Sequence, residues 1–147
     1  MRVLVIEDGE EYTRTLTRFC ADVFEFTRVG DGYEALALLA GEHAFDRIFL
    51  DMRFDRVAPA ALLGDLASTA ERFNGDPHRA RQFLEDNQGA YILAALRQAA
   101  HDLPVVFSHD FDAEPKRWAT LSRMYAPVRY LPDNASADDI RAALLGL

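Results

Sequence analysis

The stretch Val3-Leu4-Val5-Ile6-Glu7-Asp8 decides the fold. Four apolar residues follow one another without a polar side chain between them, so a strand built from them is covered on both faces. Strands covered on both faces belong to parallel sheets, whose crossover helices pack on either side. Two acids close the run, and the carboxyl ends of parallel strands are where such sheets meet their ligands. Further strands are read at 24–29, at 48–50 ending on Asp51, at 104–107 and at 128–131.

Helical signals separate these runs. Asp8 with Glu11 three residues on reads as a capping box, with Tyr12, Leu16, Phe19 and Val23 as the apolar stripe and Cys20 in the core. Asp31 and Glu34 form a second box, opening a helix through Leu39 that Gly41 stops. A helix is predicted over 90–100, and another carries Trp118, Leu121, Ser122 and Tyr125 on one face. Ser136, with Asp139 at the capping-box position, opens the last helix and turns Ile140 and Leu144 inward. Connections of this length suit right-handed crossovers and not hairpins. The expectation is an α/β domain, a doubly wound parallel sheet with helices on both faces.

One segment breaks the rhythm. A strand-to-helix loop usually takes about 2–6 residues, whereas residues 52–89 lie between Asp51 and the next crossover helix. Leu62, Leu63, Leu66, Ala70 and Phe73 recur there at helical spacing, and Asn74-Gly75 ends that helix. Asp76-Pro77 starts a second, shorter one. Residues 55–88 are therefore read as a helical insertion inside a single domain spanning 1–147.

Bulk properties narrow the function. At 147 residues the chain suits one core, and its 50% apolar content argues against disorder. The formal charge of -8 disfavours a nucleic-acid backbone or an anionic membrane as partner. No apolar run approaches the roughly 20 residues that span a bilayer, and the chain opens on a strand pattern in place of a signal peptide. With Cys20 as the only cysteine, a reducing, cytoplasmic setting is expected. Lys116 is the only lysine, the other basic side chains being arginine. The basic stretch Arg72, His78, Arg79, Arg81 reads as a solvated helix face.

The strand ends carry the chemistry. They bring forward Glu7 and Asp8, then Asp51, then Ser108 and His109, then Asp133. Three carboxylates at one sheet edge repel one another unless a cation sits among them. Hard oxygen ligands select Mg2+, Mn2+ or Ca2+. Plainer roles stand beside these: helix capping for Glu7 and Asp8, backbone bonding for Ser108, a loop position for His109, and packing for Tyr130.

Val5-Ile6-Glu7-Asp8, Asp31-Gly32-Tyr33-Glu34-Ala35-Leu36 and Phe45-Asp46-Arg47-Ile48-Phe49-Leu50-Asp51-Met52 together resemble the receiver domain of two-component response regulators. Leu103-Pro104-Val105-Val106 and Tyr130-Leu131-Pro132 extend the resemblance over all of the chain but the insertion. It implies a flavodoxin-like five-stranded sheet in the order 2-1-3-4-5. It also implies that Asp51 is the phosphoacceptor, that Glu7, Asp8, Asp51 and the Arg53 backbone carbonyl hold Mg2+ or Mn2+, and that Ser108 or His109, with Tyr130, relays the phosphorylated state. The partners implied are a sensor histidine kinase or phosphotransfer protein and a downstream protein target. A homodimer through the fourth and fifth helices and strands is a further expectation.

Two departures bear on activity. The family's lysine after the fifth strand is replaced by Asp133, with Asn134 where proline usually follows. Counting from Pro104 puts His109, and not Ser108, at the family's hydroxyl position at the end of the fourth strand. A non-phosphorylated pseudo-receiver working as a constitutive interaction module is therefore the alternative. An enzyme is not expected. The third reading, a metal-dependent hydrolase using Asp51, Asp55, His109 and Asp110, lacks any recognised hydrolase spacing.

Overall fold

The computed structural model describes all residues from Met1 to Leu147. Five parallel strands form one sheet: β1 (Arg2–Ile6), β2 (Glu25–Val29), β3 (Arg47–Asp51), β4 (Val105–Ser108) and β5 (Val128–Tyr130). Their order is β2-β1-β3-β4-β5, the flavodoxin-like order, and every pairing is parallel. The order reverses between β1 and β3, so a crevice opens at the carboxyl ends of those two strands.

The unbroken apolar runs follow from burial on both sides. Val3 and Val5 of β1, Phe49 of β3 and Val106 of β4 face one way, against Leu16 and Cys20 of helix α1 (Glu11–Cys20) and Leu144 of α7 (Ala137–Leu145). Leu4, Ile6, Ile48, Leu50 and Phe107 face the other way. They meet Ala35 and Leu39 of α2 (Gly32–Ala40), Ile92, Leu93 and Leu96 of α5 (Gln88–Gln98), and Leu121 of α6 (Pro115–Met124). Alternate residues of each strand thus feed two separate cores. No helix is long and apolar enough to cross a membrane.

The insertion after β3 holds a short 3-10 turn at Pro59–Ala61, then α3 (Leu66–Glu71) and α4 (Pro77–Asp86). Both helices start on Asp N-caps: Asp65 accepts from the amides of Ala67 and Ser68, and Asp76 from those of His78 and Arg79. Here the spacing of Leu62, Leu63, Leu66, Ala70 and Phe73 misleads. Gly64 adopts a left-handed φ of 103° and interrupts the pattern, so α3 spans 6 residues and α4, expected to be the shorter, spans 10. The insertion is fastened to the larger core by Phe54, Leu62 and Leu84. The buried Gln88 side chain accepts from Leu63 N–H at 2.6 Å and donates to the Leu63 and Leu84 carbonyls, both at 3.1 Å.

Two further expectations are corrected. Asp8 does not cap α1; the helix begins at Glu11, with Glu10 at the N-cap position and no side-chain cap there. Phe19, placed by periodicity on the inner stripe, is 48% exposed, because Leu16 and Cys20 face the sheet. The Asp31 cap is present: its carboxylate accepts from Glu34 N–H at 2.8 Å. Ser136 and Asp139 form the full capping box of α7.

Candidate functional site

Glu7 leaves the end of β1 and is buried at 1% exposure. Its carboxylate accepts from the amides of Tyr12 and Thr13 at 3.1 and 2.8 Å and from the Thr13 hydroxyl at 2.6 Å. It therefore supplies the cap that α1 lacks at Glu10, neutralising unpaired donors of the first turn. Both oxygens are engaged, so Glu7 enters the site as a buried charge and not as a free ligand. Its backbone carbonyl accepts from Arg28 of β2 at 3.0 Å.

Asp8 stands one residue further, and its Oδ2 accepts the main-chain amide of Arg56 at 2.8 Å. The first residues of the insertion are thereby pinned over the β1 end of the crevice. Asp51 closes β3. Met52 N–H donates to its Oδ1 at 2.8 Å, leaving Oδ2 as the less engaged oxygen. Burial pushes the Asp51 carboxyl up to about 7, and the charges of Asp8 and Glu7 push the same way. The amides of Met52 and Arg53 only partly offset this. A half-buried acid raised so far, in a crevice shared with other acids, is a candidate functional position.

Glu7, Asp8, Asp51 and Arg53 do line one open cleft of about 350 Å³, together with Asp55 and Arg56. The Arg53 carbonyl accepts no hydrogen bond from the chain, and its guanidinium reaches outward to Asp55 and Asp86, each at 3.3 Å. No three His, Cys, Asp or Glu side chains stand close enough to hold a metal ion by themselves. The donors present nonetheless suit a hard divalent cation, which needs only one or two carboxylates with a carbonyl and waters.

The floor of the cleft is stiffened from the insertion side. Gly89, in the first turn of α5, donates its N–H to the Met52 carbonyl at 2.9 Å. A Cβ at position 89 would lie 2.3 Å from the Asp51 carbonyl oxygen and 2.8 Å from Met52 Cα, so only glycine lets the helix approach this closely. Phe54 N–H bonds the Glu85 carbonyl at 2.9 Å.

The β4–β5 side is organised differently. Ser108 pairs in register with Asp51, whereas His109 lies one residue beyond. Counting from Pro104 pointed to His109; the pairing puts Ser108 beside the acid. Ser108, His109 and Asp133 line a smaller pocket of about 130 Å³, and Tyr12 borders both this pocket and the larger cleft. His109 Nε2 meets Glu114 Oε1 at 2.9 Å, and its ring stands edge-on to Phe111 with centroids 4.5 Å apart. Glu114 also accepts from Arg117 at 3.0 Å, and Arg117 donates to Asn87, between α4 and α5, at 2.7 Å. This relay joins the β4 loop to the root of the insertion; Glu114 and Arg117 are an i,i+3 helical pair, whereas no local pattern in the sequence announced the contact of Arg117 with Asn87. The two arginine and histidine contacts hold the Glu114 carboxyl below its usual range.

Tyr130 packs against Trp118 and Phe111 at centroid distances of 4.7 and 5.5 Å and donates its hydroxyl to Asp112 at 2.5 Å. Asp133 is tied by its backbone: its N–H donates to Asp110 Oδ2 at 3.1 Å. Amide donors from Asp112 and Asp133 hold the Asp110 carboxyl low. Of the four residues of the hydrolase reading, Asp51 and Asp55 line the larger cleft and His109 the smaller pocket, while Asp110 is spent on backbone amides. They form no metal cluster.

Many solved structures share this arrangement of strands and helices. The receiver domain of the Francisella response regulator 1452 covers 98% of this chain and 94% of its own length, at a TM-score of 0.63 and 20% identity. The fold is that of a response-regulator receiver domain. The receiver fold recurs in a Burkholderia pseudomallei response regulator described with a phosphorylated aspartic acid, a calcium ion and citrate (TM-score 0.61, 21% identity, 98% of this chain and 66% of that one). It is matched equally by a structure described as adenylate cyclase from Rhodopirellula baltica (TM-score 0.66, 19% identity, 99% of this chain and 84% of that one). No protein-family model matches the chain, and no curated protein matches it significantly. Helices α3 and α4 both lie in the segment between β3 and α5.

Proposed function

We propose that residues 1–147, with 55–88 as an internal insertion, are one receiver module of a two-component phosphorelay, taking a phosphoryl group on Asp51. The observation that carries this reading is the Asp51 carboxyl itself: it ends β3 in the acidic cleft and is pushed up to about 7 by burial and by Asp8 and Glu7. An acid held so unfavourably in its ionised form is stabilised by a divalent cation, which is also what an incoming phosphoryl group requires.

In this reading, Asp8, Asp51 and the Arg53 carbonyl would hold a Mg2+ or Mn2+ ion, which would offset the repulsion between carboxylate and phosphate. Glu7 holds α1 and adds negative charge to the cleft. Asp51 Oδ2 attacks the phosphorus of a phosphohistidine donor; the P–O bond forms, the P–N bond breaks, and the imidazole leaves with its electron pair and takes up a proton from solvent. Ser108, in register with Asp51, is placed to donate its hydroxyl to the new phosphoryl oxygens. His109 and Tyr130 carry the change towards Glu114 and Asp112. The donor is a sensor histidine kinase or a phosphotransfer protein, the output is contact with a downstream protein in the cytoplasm, and the module turns over no substrate of its own.

Asp133 favours a second reading, an interaction module that takes no phosphate, because it sets a negative charge in the pocket beside Ser108. Incubation with Mg2+ and acetyl phosphate separates the two. The first reading expects an intact-mass gain of one phosphoryl group that Asp51→Asn abolishes. Metal binding with no mass gain in the wild type supports the second.

A further inference from the structure

A phosphoryl group on Asp51 adds negative charge to a cleft already walled by Glu7 and Asp8, in a chain of net charge -8. One divalent cation does not balance that sum, so a side-chain cation is required as well. The β5 side offers none. Asp133 occupies the loop after β5, Lys116 lies in α6, and Arg129 is turned towards Gly146 behind α7, its Nη1 3.0 Å from where a Cβ on Gly146 would lie.

Only two side-chain cations line the acidic cleft, Arg53 and Arg56. Arg53 is drawn towards the insertion by Asp55 and Asp86 together. Arg56 is different. Its amide is bonded to Asp8, which fixes its Cα at the rim. Its guanidinium lies across the loop after β1, 2.4 Å from where a Cβ on Gly9 would stand, and pairs with Glu11 at 2.7 Å. That pair is 57% and 63% exposed, so it is weak and readily exchanged for a stronger acceptor. Glycine at position 9 keeps this path clear.

We propose that Arg56, carried on the first residues of the insertion, is the cation that binds the phosphoryl oxygens at Asp51, leaving Glu11 to do so. The insertion thereby supplies from the β3 side the charge that the β5 loop lacks. This rests on the phosphoacceptor reading of Asp51.

The test compares wild type with Arg56→Gln, Arg56→Lys, Glu11→Gln and, as a charge-matched control on the outer face of α1, Arg14→Gln. Beryllofluoride affinity is read by fluorine NMR in saturating Mg2+, and Mg2+ affinity alone by calorimetry. Arg56→Gln should weaken beryllofluoride binding about tenfold or more, the scale of one charge-assisted hydrogen bond. Its Mg2+ affinity should hold or rise, since a nearby cation has gone. Arg56→Lys should recover part of the loss, Glu11→Gln should bind as tightly as wild type or tighter, and Arg14→Gln should match wild type. Arg56→Gln binding beryllofluoride like wild type, or losing both ligands together as a merely structural residue would, overturns the proposal. A wild type that binds Mg2+ but no beryllofluoride overturns the phosphoacceptor reading beneath it.

Discussion

The two sides of the sheet edge are built on different logics. On the β1–β3 side, five acids line one cleft, and two of the three at the strand ends are spent on holding backbone: Glu7 on the start of α1 and Asp8 on the amide of Arg56. On the β4–β5 side, polar groups satisfy one another in pairs, His109 with Glu114 and Tyr130 with Asp112. The first side stores electrostatic strain and the second is relaxed. Chemistry belongs where the strain is, since there the binding of a cation releases free energy.

The largest effect expected from breaking this contrast is at Asp51. Its folded-state pKa lies above the ordinary carboxylate value, so the folded state holds a proton that the unfolded state has lost. Stability therefore falls as pH rises from the ordinary carboxylate range through about 7. Asp51→Asn removes that penalty, and in metal-free buffer at pH 8 urea unfolding should show it more stable by on the order of 2–4 kcal/mol. At pH 4 the two proteins should converge. Equal stability at both pH values would mean the acid is not strained.

Next is Glu7→Ala, which strands three donors at the start of α1. A loss of about 1–3 kcal/mol in chemical unfolding is expected at neutral pH. Asp8→Asn should lower Mg2+ affinity about tenfold by calorimetry while costing little stability, because an amide oxygen still accepts the Arg56 N–H. The smallest effect belongs to the relaxed side: Tyr130→Phe loses one exposed hydrogen bond to Asp112 and should cost no more than about 0.5–1 kcal/mol. A larger loss there than at Glu7 would reverse the comparison.

What could be read from the residues, and what could not, divides on the same line. Val3–Ile6 and Phe49–Asp51 are unbroken apolar runs ended by acids, so burial on both faces and a ligand-facing edge were both legible. Parallel pairing and the helical insertion after β3 followed, whereas the strand order came from the resemblance to receiver domains. The work that Glu7 does was hidden, because capping at a distance depends on α1 starting at Glu11 and not beside Asp8. The lengths of α3 and α4 were reversed, because Gly64 in left-handed geometry overrides an apolar spacing that otherwise suits one longer helix. Ser108 needed the β3–β4 register to be paired with Asp51. The contacts of Arg56 with Asp8 and Glu11 and of Arg117 with Asn87 join segments far apart in sequence, and no periodicity encodes them.

The most direct measurement is a carbon-13 NMR titration of the Asp51 carboxyl, with and without Mg2+. The account predicts a midpoint near 7 in metal-free buffer, and a fall of that midpoint when Mg2+ is added. A midpoint in the ordinary carboxylate range, indifferent to Mg2+, would contradict it.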